Sequence, residues 1–324
     1  MAATSYVLGI DGGATRTVAL LGTTADILGR GESGSSNYHN IGTVAAGNAI
    51  KKAVANAKKQ AGSPKAKVEI AVVALAALDS THGIQIARRF VRDANVAQRS
   101  FVIHDSVSAL YAATKGSQGI VVNCGTGCFA AGVNGAGEYA RVGGWGYLID
   151  DKGSAFEIGM KAITMGFRMA DGRTPRSHLT RMLKTRLAVK RFDEILDGIY
   201  SNQIGVEEIA ALAPQVSRAA GQDKVCREIL REVGASLAEL ACTTARRLKM
   251  TESSFPLFTM GGGFKSGRYF IEPFMSKVRD ECSHVRILTL EDEPAAGSYL
   301  IATKLAHGEK TLSRSDRWLR KVVN

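Results

Sequence analysis

Three short apolar runs, Tyr6–Ile10, Val18–Leu21 and Ile27–Gly31, are joined by glycine-rich connections, and about 110 residues later the same order returns. Gly119–Cys124 is an apolar run ending in Gly125-Thr126-Gly127, Phe129–Val133 follows, a turn spans Gly135–Gly137, and Tyr139–Val142 closes the set before another glycine pair. Short apolar segments punctuated by tight turns read as an antiparallel meander. A meander written twice constrains the chain more than any other feature. It predicts a duplicated fold whose two glycine-rich turns face each other across a cleft.

The segments between and after the meanders fill in the halves. Val44–Ala61 has the helical period, with Ala46, Ile50, Ala53, Val54, Ala57 and Ala61 on one face. Val68–Leu75 reads as a buried strand, Ile84–Asp93 as a helix, Phe101–His104 as a strand and Ser106–Thr114 as a helix. The order βββαβαβα is an α/β layer pattern. After Gly153 the chain is mostly helical. Its clearest helix is Asp223–Lys249, where Val225, Ile229, Val233, Leu237, Leu240 and Ala241 recur at near-helical spacing. Phe255–Met260 is a buried strand running into Gly261-Gly262-Gly263, Val285–Leu288 another strand, and Ala295–Leu305 a helix after Pro294, a good first-turn residue. The expected division is residues 1–115, with the 294–307 helix packing back on them, then 116–293, then a basic tail over 308–324. That tail is expected to be a short helix anchored by Trp318 and Leu319.

Composition bounds the function. Hydrophobic residues at 45% and charged ones at 22% fit a globular core and argue against disorder. No run approaches the roughly 18 apolar residues of a spanning helix, so no membrane partner is expected. Met1–Ser5 lacks a basic n-region and an apolar h-region, and five cysteines in 324 residues do not make a disulfide framework. The expected compartment is therefore the cytoplasm. The net charge of +12 has two concentrations, from Arg168 through Arg173, Arg176, Arg181, Lys184 and Arg186 to Lys190 and Arg191, and along Lys310, Arg314, Arg317, Arg320 and Lys321. Neither zinc-finger spacing nor an RNP-like aromatic string accompanies them, so they read as solvated helix faces rather than a nucleic-acid footprint.

Three turns carry candidate chemistry. In Gly9-Ile10-Asp11-Gly12-Gly13-Ala14-Thr15-Arg16-Thr17 the paired glycines let backbone approach a phosphate, Thr15 and Thr17 offer hydroxyls, and Arg16 adds charge. Asp11 repels a bare polyphosphate and makes sense beside one when a divalent cation lies between them. Asn123-Cys124-Gly125-Thr126-Gly127-Cys128 is the counterpart, with successive amides and the Thr126 hydroxyl suited to a terminal phosphate. Met260-Gly261-Gly262-Gly263-Phe264 allows close packing against a flat group. Neither GxxxxGK[ST] nor a GxGxxG at a strand–helix junction occurs, which disfavours Walker and Rossmann sites. Asp105 ends one strand and opens the next helix. That is the place of a general base facing a ligand crevice, and equally the place of an ordinary N-cap. His104 beside it reads as a core histidine.

In order and separation, these turns resemble the fold shared by sugar kinases, heat-shock chaperone ATPases and actin. Within that superfamily the chain resembles the N-acetylglucosamine kinase and BadF/BadG/BcrA/BcrD-type ATPase family, including archaeal broad-specificity hexokinases. Gly34-Ser35-Ser36-Asn37-Tyr38-His39-Asn40-Ile41-Gly42 is similar to that family's sugar-contacting loop. Val142-Gly143-Gly144-Trp145-Gly146 and Asp150-Asp151-Lys152-Gly153-Ser154 are similar to its GGWG…DEGS segment, and Asp171-Gly172-Arg173 and Pro294-Ala295-Ala296-Gly297 also fit. The resemblance implies two actin-like, ribonuclease H-like domains with a mixed five-stranded sheet each. It implies transfer of the γ-phosphate of MgATP to a hydroxyl of a hexose or amino sugar, with N-acetylglucosamine, glucosamine or glucose as the acceptor. Asp105 matches the general base and Asp11 the aspartate acting on magnesium through water. Gly12, Gly13, Thr15, Gly125, Thr126 and Gly127 match phosphate contacts, and Gly262 and Gly263 the adenosine side. Asn37, His39, Gly144, Trp145 and Asp151 match sugar-pocket positions, Gly146 and Cys128 lying beside them. Relatives of this kind are often homodimers.

Departures from the family pattern fall on the sugar side. Cys128 stands where serine is usual, Lys152 where an acid is usual, and Ala76-Ala77-Leu78-Asp79 replaces Ala-Gly-Leu-Asp. Trp145 offers an apolar face to a pyranose, or equally packs in the core. Rival readings are an ATPase that activates a partner enzyme, for which an iron–sulfur site would be needed, and a nucleotide-dependent sugar-sensing protein without turnover.

Overall fold

The computed structural model describes residues 5–76, 78–308 and 318–319. In chain order, β1 (Tyr6–Gly12), β2 (Thr17–Gly22), β3 (Ile27–Ser33), α1 (Tyr38–Gln60), β4 (Val68–Leu75), α2 (Thr81–Ala94), β5 (Arg99–His104) and α3 (Asp105–Thr114) form the first set. Then come β6 (Gly119–Cys124), β7 (Cys128–Val133) and β8 (Tyr139–Gly143). The helices α4 (Ala155–Ala170), α5 (His178–Arg186), α6 (Asp193–Tyr200), α7 (Val206–Ala210), α8 (Ala213–Ala219) and α9 (Lys224–Arg247) follow. The chain closes with β9 (Phe255–Met260), α10 (Arg268–Glu281), β10 (Val285–Thr289) and α11 (Pro294–Ala306).

Two five-stranded sheets result, ordered β3-β2-β1-β4-β5 and β10-β9-β6-β7-β8. Read from the other edge, the second repeats the first: three consecutive strands, then two that join after crossovers. The expected duplication is therefore present as topology. In the first sheet β1 runs antiparallel to β2, β2 antiparallel to β3, and β1, β4 and β5 are mutually parallel.

The chain divides into two compact units. One comprises residues 1–119, 133–139 and 290–324, the other 120–132 and 140–289. The first unit's core includes Leu8 and Ile10 of β1, Val73 and Leu75 of β4, and Ala46, Ile50, Ala53, Val54 and Ala57 of α1, the face its periodicity predicts. On the other side of β1, α11 packs against the strand and against α3. That approach depends on Gly297, where a Cβ would lie 1.9 Å from the Ser108 carbonyl oxygen. Ser108 Oγ holds the crossing, donating to the Pro294 carbonyl at 2.5 Å and lying 2.7 Å from Ser298 Oγ. In the second unit α9 lies at the centre, burying Ile229, Val233, Leu237, Leu240 and Ala241. Asp223 opens α9 by accepting from the Val225 and Cys226 amides, and its other oxygen accepts from the Leu179 amide of α5.

Local differences from the sequence reading have physical causes. α1 opens with a turn, Tyr38–Ile41, capped by Asn37; Gly42, at φ +77° and ψ 162°, is non-helical and separates this turn from the long helix that the periodicity places from Val44. Asp105 is not the N-cap of α3. His104 is, its side chain accepting from the Ser106 amide, so Asp105 stands in the first turn. Of the expected tail, Lys310, Arg314, Arg317, Arg320 and Lys321 lie outside the described residues, as does Ala77. Trp318 and Leu319 are buried, and the Trp318 ring stacks on Tyr139 at 5.3 Å with 4° between planes. All five cysteines are free and buried. Among the described residues no helix is long and apolar enough to cross a membrane.

Candidate active site

In the first unit the carboxyl ends of parallel strands gather the acids. The register sets Gly12 level with Leu75, and Leu75 level with His104, so Asp11 and Asp105 emerge at the same edge of one sheet. Such edges are where open α/β sheets receive ligands. Asp11 is an unsettled carboxyl: its pKa rises from 3.8 to about 7. Burial is the main cause, the Asp105 charge adds to it, Arg16 opposes, and Glu293 raises it again. Glu293 reaches this neighbourhood from just before α11 and is held by Arg30, whose Nε donates to Oε1 at 2.7 Å. Asp105 Oδ1 lies 2.7 Å from His104 Nδ1.

The turn after β1 is built to be close to something. Gly13 N donates to the Arg16 carbonyl at 2.9 Å, and the Ser36 amide donates to the Gly13 carbonyl at 3.2 Å. Thr15 and Arg16 are exposed, whereas Thr17 is fully buried and its hydroxyl donates to the Gly34 carbonyl at 2.8 Å. Ser36, which the sequence reading passes over inside the Gly34–Gly42 loop, is 1% exposed and abuts Gly12. Its Oγ has no hydrogen-bond partner among the described residues. Asn37 uses its side-chain oxygen to accept from the exposed His39 amide.

In the second unit the turn between β6 and β7 is locked from behind. Gly125 N donates to the Gly127 carbonyl, and the amides of Ala155 and Phe156 donate to the carbonyls of Gly125 and Thr126. Asp151 accepts from the Cys128 amide at 3.2 Å, and a Cβ on Gly127 would fall 2.9 Å from its carboxylate. Cys128 is 2% exposed, its thiol donating to the Lys152 carbonyl, and burial pushes its pKa up. Cys124 is likewise buried and pushed up to about 12, so neither is a ready thiolate. The triple glycine lies against the same turn: Gly261 has φ +96°, Gly263 packs on Cys124, and Gly262 faces open space. Gly144 and Gly146 take positive φ, at +79° and +90°. Between them Trp145 is 53% exposed, which removes the core-packing reading. The Arg141 guanidinium sits 5.2 Å from its ring centroid.

The described residues contain no cluster of three or more histidine, cysteine or acidic side chains that would cage a metal. A half-buried acid in an acidic field suits another kind of cation site. Magnesium keeps several waters and is commonly held through one or two carboxylates together with substrate phosphates. Asp11 fits that donor set.

A two-unit α/β fold with a repeated sheet, glycine turns at the strand ends and a pair of aspartates at one sheet edge defines an actin-like phosphate-handling protein. The chain belongs to the BadF/BadG/BcrA/BcrD ATPase family, whose pattern it matches over residues 8–302. It is 27% identical to the N-acetylmuramic acid/N-acetylglucosamine kinase of Clostridium acetobutylicum, over 92% of this chain and 98% of that one. It is 27% identical to the N-acetyl-D-glucosamine kinase of Dictyostelium discoideum, over 91% and 97%. A Chromobacterium violaceum crystal structure, provisionally described as an N-acetylglucosamine kinase, superposes with a TM-score of 0.76 at 26% identity, covering 92% of this chain and 99% of that one.

Proposed function

We propose that this protein is an ATP-dependent kinase that transfers the γ-phosphoryl group of ATP to a hydroxyl of a hexose or amino sugar. N-acetylglucosamine, glucosamine and glucose are the first candidates. The observation that carries the reading is the pair Asp11 and Asp105 at the carboxyl ends of parallel strands of one sheet, with the charge of one raising the pKa of the other. The names of the relatives support the sugar as acceptor.

In this reading Asp105 orients the sugar hydroxyl and takes its proton, contributing typically 10²–10⁴-fold. The hydroxyl O–H bond breaks, its oxygen bonds to the γ-phosphorus, and the bond from that phosphorus to ADP breaks as ADP leaves. Phosphoryl transfer asks mainly for positioning and charge stabilisation. Gly12 and Gly13 let the turn after β1 approach phosphate oxygens, with the Thr15 hydroxyl as donor. Gly125 and Gly127 do the same for the turn after β6, with the Thr126 hydroxyl as donor. Gly262 offers an open surface to the nucleoside, with Gly263 packed behind it on Cys124. Arg16 adds positive charge, while Thr17 shapes the turn from beneath. Magnesium, when bound through the water shell of Asp11, would neutralise phosphate charge. On the sugar side, Trp145 presents an apolar face with Gly144 and Gly146 letting the chain turn around it. Asn37 and His39 supply polar contacts, and Asp151 and Cys128 set the floor of the neighbouring turn. The assembly proposed from the resemblance is a cytoplasmic homodimer.

A coupled ATP-consumption assay across glucose, glucosamine, N-acetylglucosamine and N-acetylmannosamine, with and without magnesium, tests the reading. Sugar-dependent ADP release is expected in the wild type. In Asp105→Asn it should fall by about 10²-fold or more with the KM for ATP unchanged. ADP release indifferent to every sugar, or retained turnover in Asp105→Asn, overturns it.

A further inference from the structure

The sequence places His104 in the core, yet in the structure its ring has work on three sides. Nδ1 accepts from the Ser106 amide at 3.1 Å, which caps α3. The same nitrogen lies 2.8 Å from Ser106 Oγ and 2.7 Å from Asp105 Oδ1. On the opposite edge Nε2 lies 3.3 Å from Asp79 Oδ1. Ser106 Oγ continues to the Tyr139 hydroxyl at 3.0 Å, and Tyr139 carries the stacked Trp318 ring on its face. All of these residues belong to the first unit.

The proton count is what makes the arrangement informative. Asp105 Oδ1 is buried, and no ordinary hydrogen bond reaches it among the described residues. An imidazole lone pair and a carboxylate oxygen at 2.7 Å repel each other unless a proton lies between them. Nδ1 has one lone-pair position, so it either accepts from the Ser106 amide or carries a proton shared with Asp105 Oδ1. In the second state Nδ1–H faces Asp105, Nε2–H faces Asp79, and the cap is given up. Charged or titratable groups that act here include Asp11 on β1, which responds to Asp105, with Arg16 and Glu293 acting on Asp11 in turn, and Tyr38 of α1, which responds to Asp79. A helix cap alone needs none of this, since serine or asparagine caps as well or better.

We propose that His104 is a positioning residue for Asp105. Anchored by Asp79, the ring holds Oδ1 through a shared proton and leaves Oδ2, on a side chain that is 25% exposed, to meet the acceptor hydroxyl. The Ser106–Tyr139–Trp318 chain keeps the ring from turning. This inference rests on the kinase reading and on Asp105 as its base.

His104→Asn separates capping from positioning, because asparagine preserves the cap but carries no imidazole. The expected result is a melting temperature within a few degrees of wild type and KM values for ATP and sugar within about twofold. The kcat should fall by about 10–100-fold, the loss usual when a group orienting an active-site residue is removed. His104→Asp also caps, but sets a carboxylate against Asp105, and should lower kcat further at unchanged KM. Wild-type kcat in either folded variant overturns the inference. Should His104→Asn fail to fold, Asp79→Ala keeps the question answerable: it leaves the cap intact and removes the oxygen that faces Nε2, and unchanged kcat there also overturns the inference. An inactive Asp105→Asn beside a fully active His104→Asn would discard His104 alone, whereas a fully active Asp105→Asn discards the kinase base itself.

Discussion

Replacing Asp11 by asparagine should stabilise the protein while removing its activity, and the gain should depend on pH in a defined direction. The Asp11 pKa is raised from 3.8 to about 7, so the folded state binds this proton more tightly than the unfolded chain does. A raised carboxyl contributes stability that is fully present below pH 3.8 and lost as pH climbs through 7. Asparagine never ionises and loses nothing. Each pH unit over which the folded carboxyl stays protonated while the unfolded one is ionised is worth roughly 1.4 kcal/mol. The advantage of the variant should therefore widen by at most about 2–3 kcal/mol between pH 5 and pH 8. That is an upper bound, since Asp11 keeps part of its surface in water. For units of this size it corresponds to at most roughly 4–10 °C in melting temperature. The assay is a thermal melt of both proteins without nucleotide or magnesium at half-unit steps of pH, beside an activity measurement with magnesium and ATP at the upper end of the same pH series. A gap that stays constant with pH, or that closes as pH rises, would refute the argument that burial and the Asp105 field load this carboxyl. Full kinase activity in the variant would refute its assignment to the cation.

Two close approaches give further tests. Gly297→Ala places a methyl against the Ser108 carbonyl of α3, and backbone cannot move aside cheaply, so a loss of about 3 kcal/mol or more is expected in urea unfolding. An unchanged midpoint would mean that α11 and α3 are not packed this tightly. Gly263→Ala drives a methyl into the Cys124 thiol and should cost about 1–3 kcal/mol, with Cys124→Ala restoring part of the loss in a double-mutant cycle. Strict additivity of the two substitutions would contradict the contact.

The repeated meander, the glycine turns and the amphipathic faces of α1 and α9 are legible because each is a local signal: a period, a punctuation mark, a cap. The opening turn of α1 is hidden because Tyr38-His39-Asn40-Ile41 reads as loop, and Gly42, non-helical at φ +77°, does separate that turn from the long helix the periodicity shows. Asp105 is ambiguous until the cap of α3 proves to be His104, an uncommon capping residue whose role comes from its neighbours. Glu293 illustrates what no window of sequence contains. It is held by Arg30, 263 positions away, and its effect on Asp11 exists only once α11 has returned to β1. Trp145 can be read either as buried or as presented to a ligand, and its exposure decides the matter. Ser36 carries no signal beyond its membership of a loop. What marks it is a hydroxyl shut away from water beside Gly12.

The return of α11 also sets a timetable for synthesis. The first five strands emerge early from the ribosome, but the helix that covers one face of β1 is made only after the whole of residues 140–289. Until then the place where the Tyr299 backbone sits against Gly9 is bare, and the nascent amino-terminal sheet waits with one oily side uncovered. The second unit, nearly continuous in sequence, has no such wait. A cell making this protein therefore holds an unfinished half for the time needed to translate the other, and the last helix to be made is the one that finishes the first sheet.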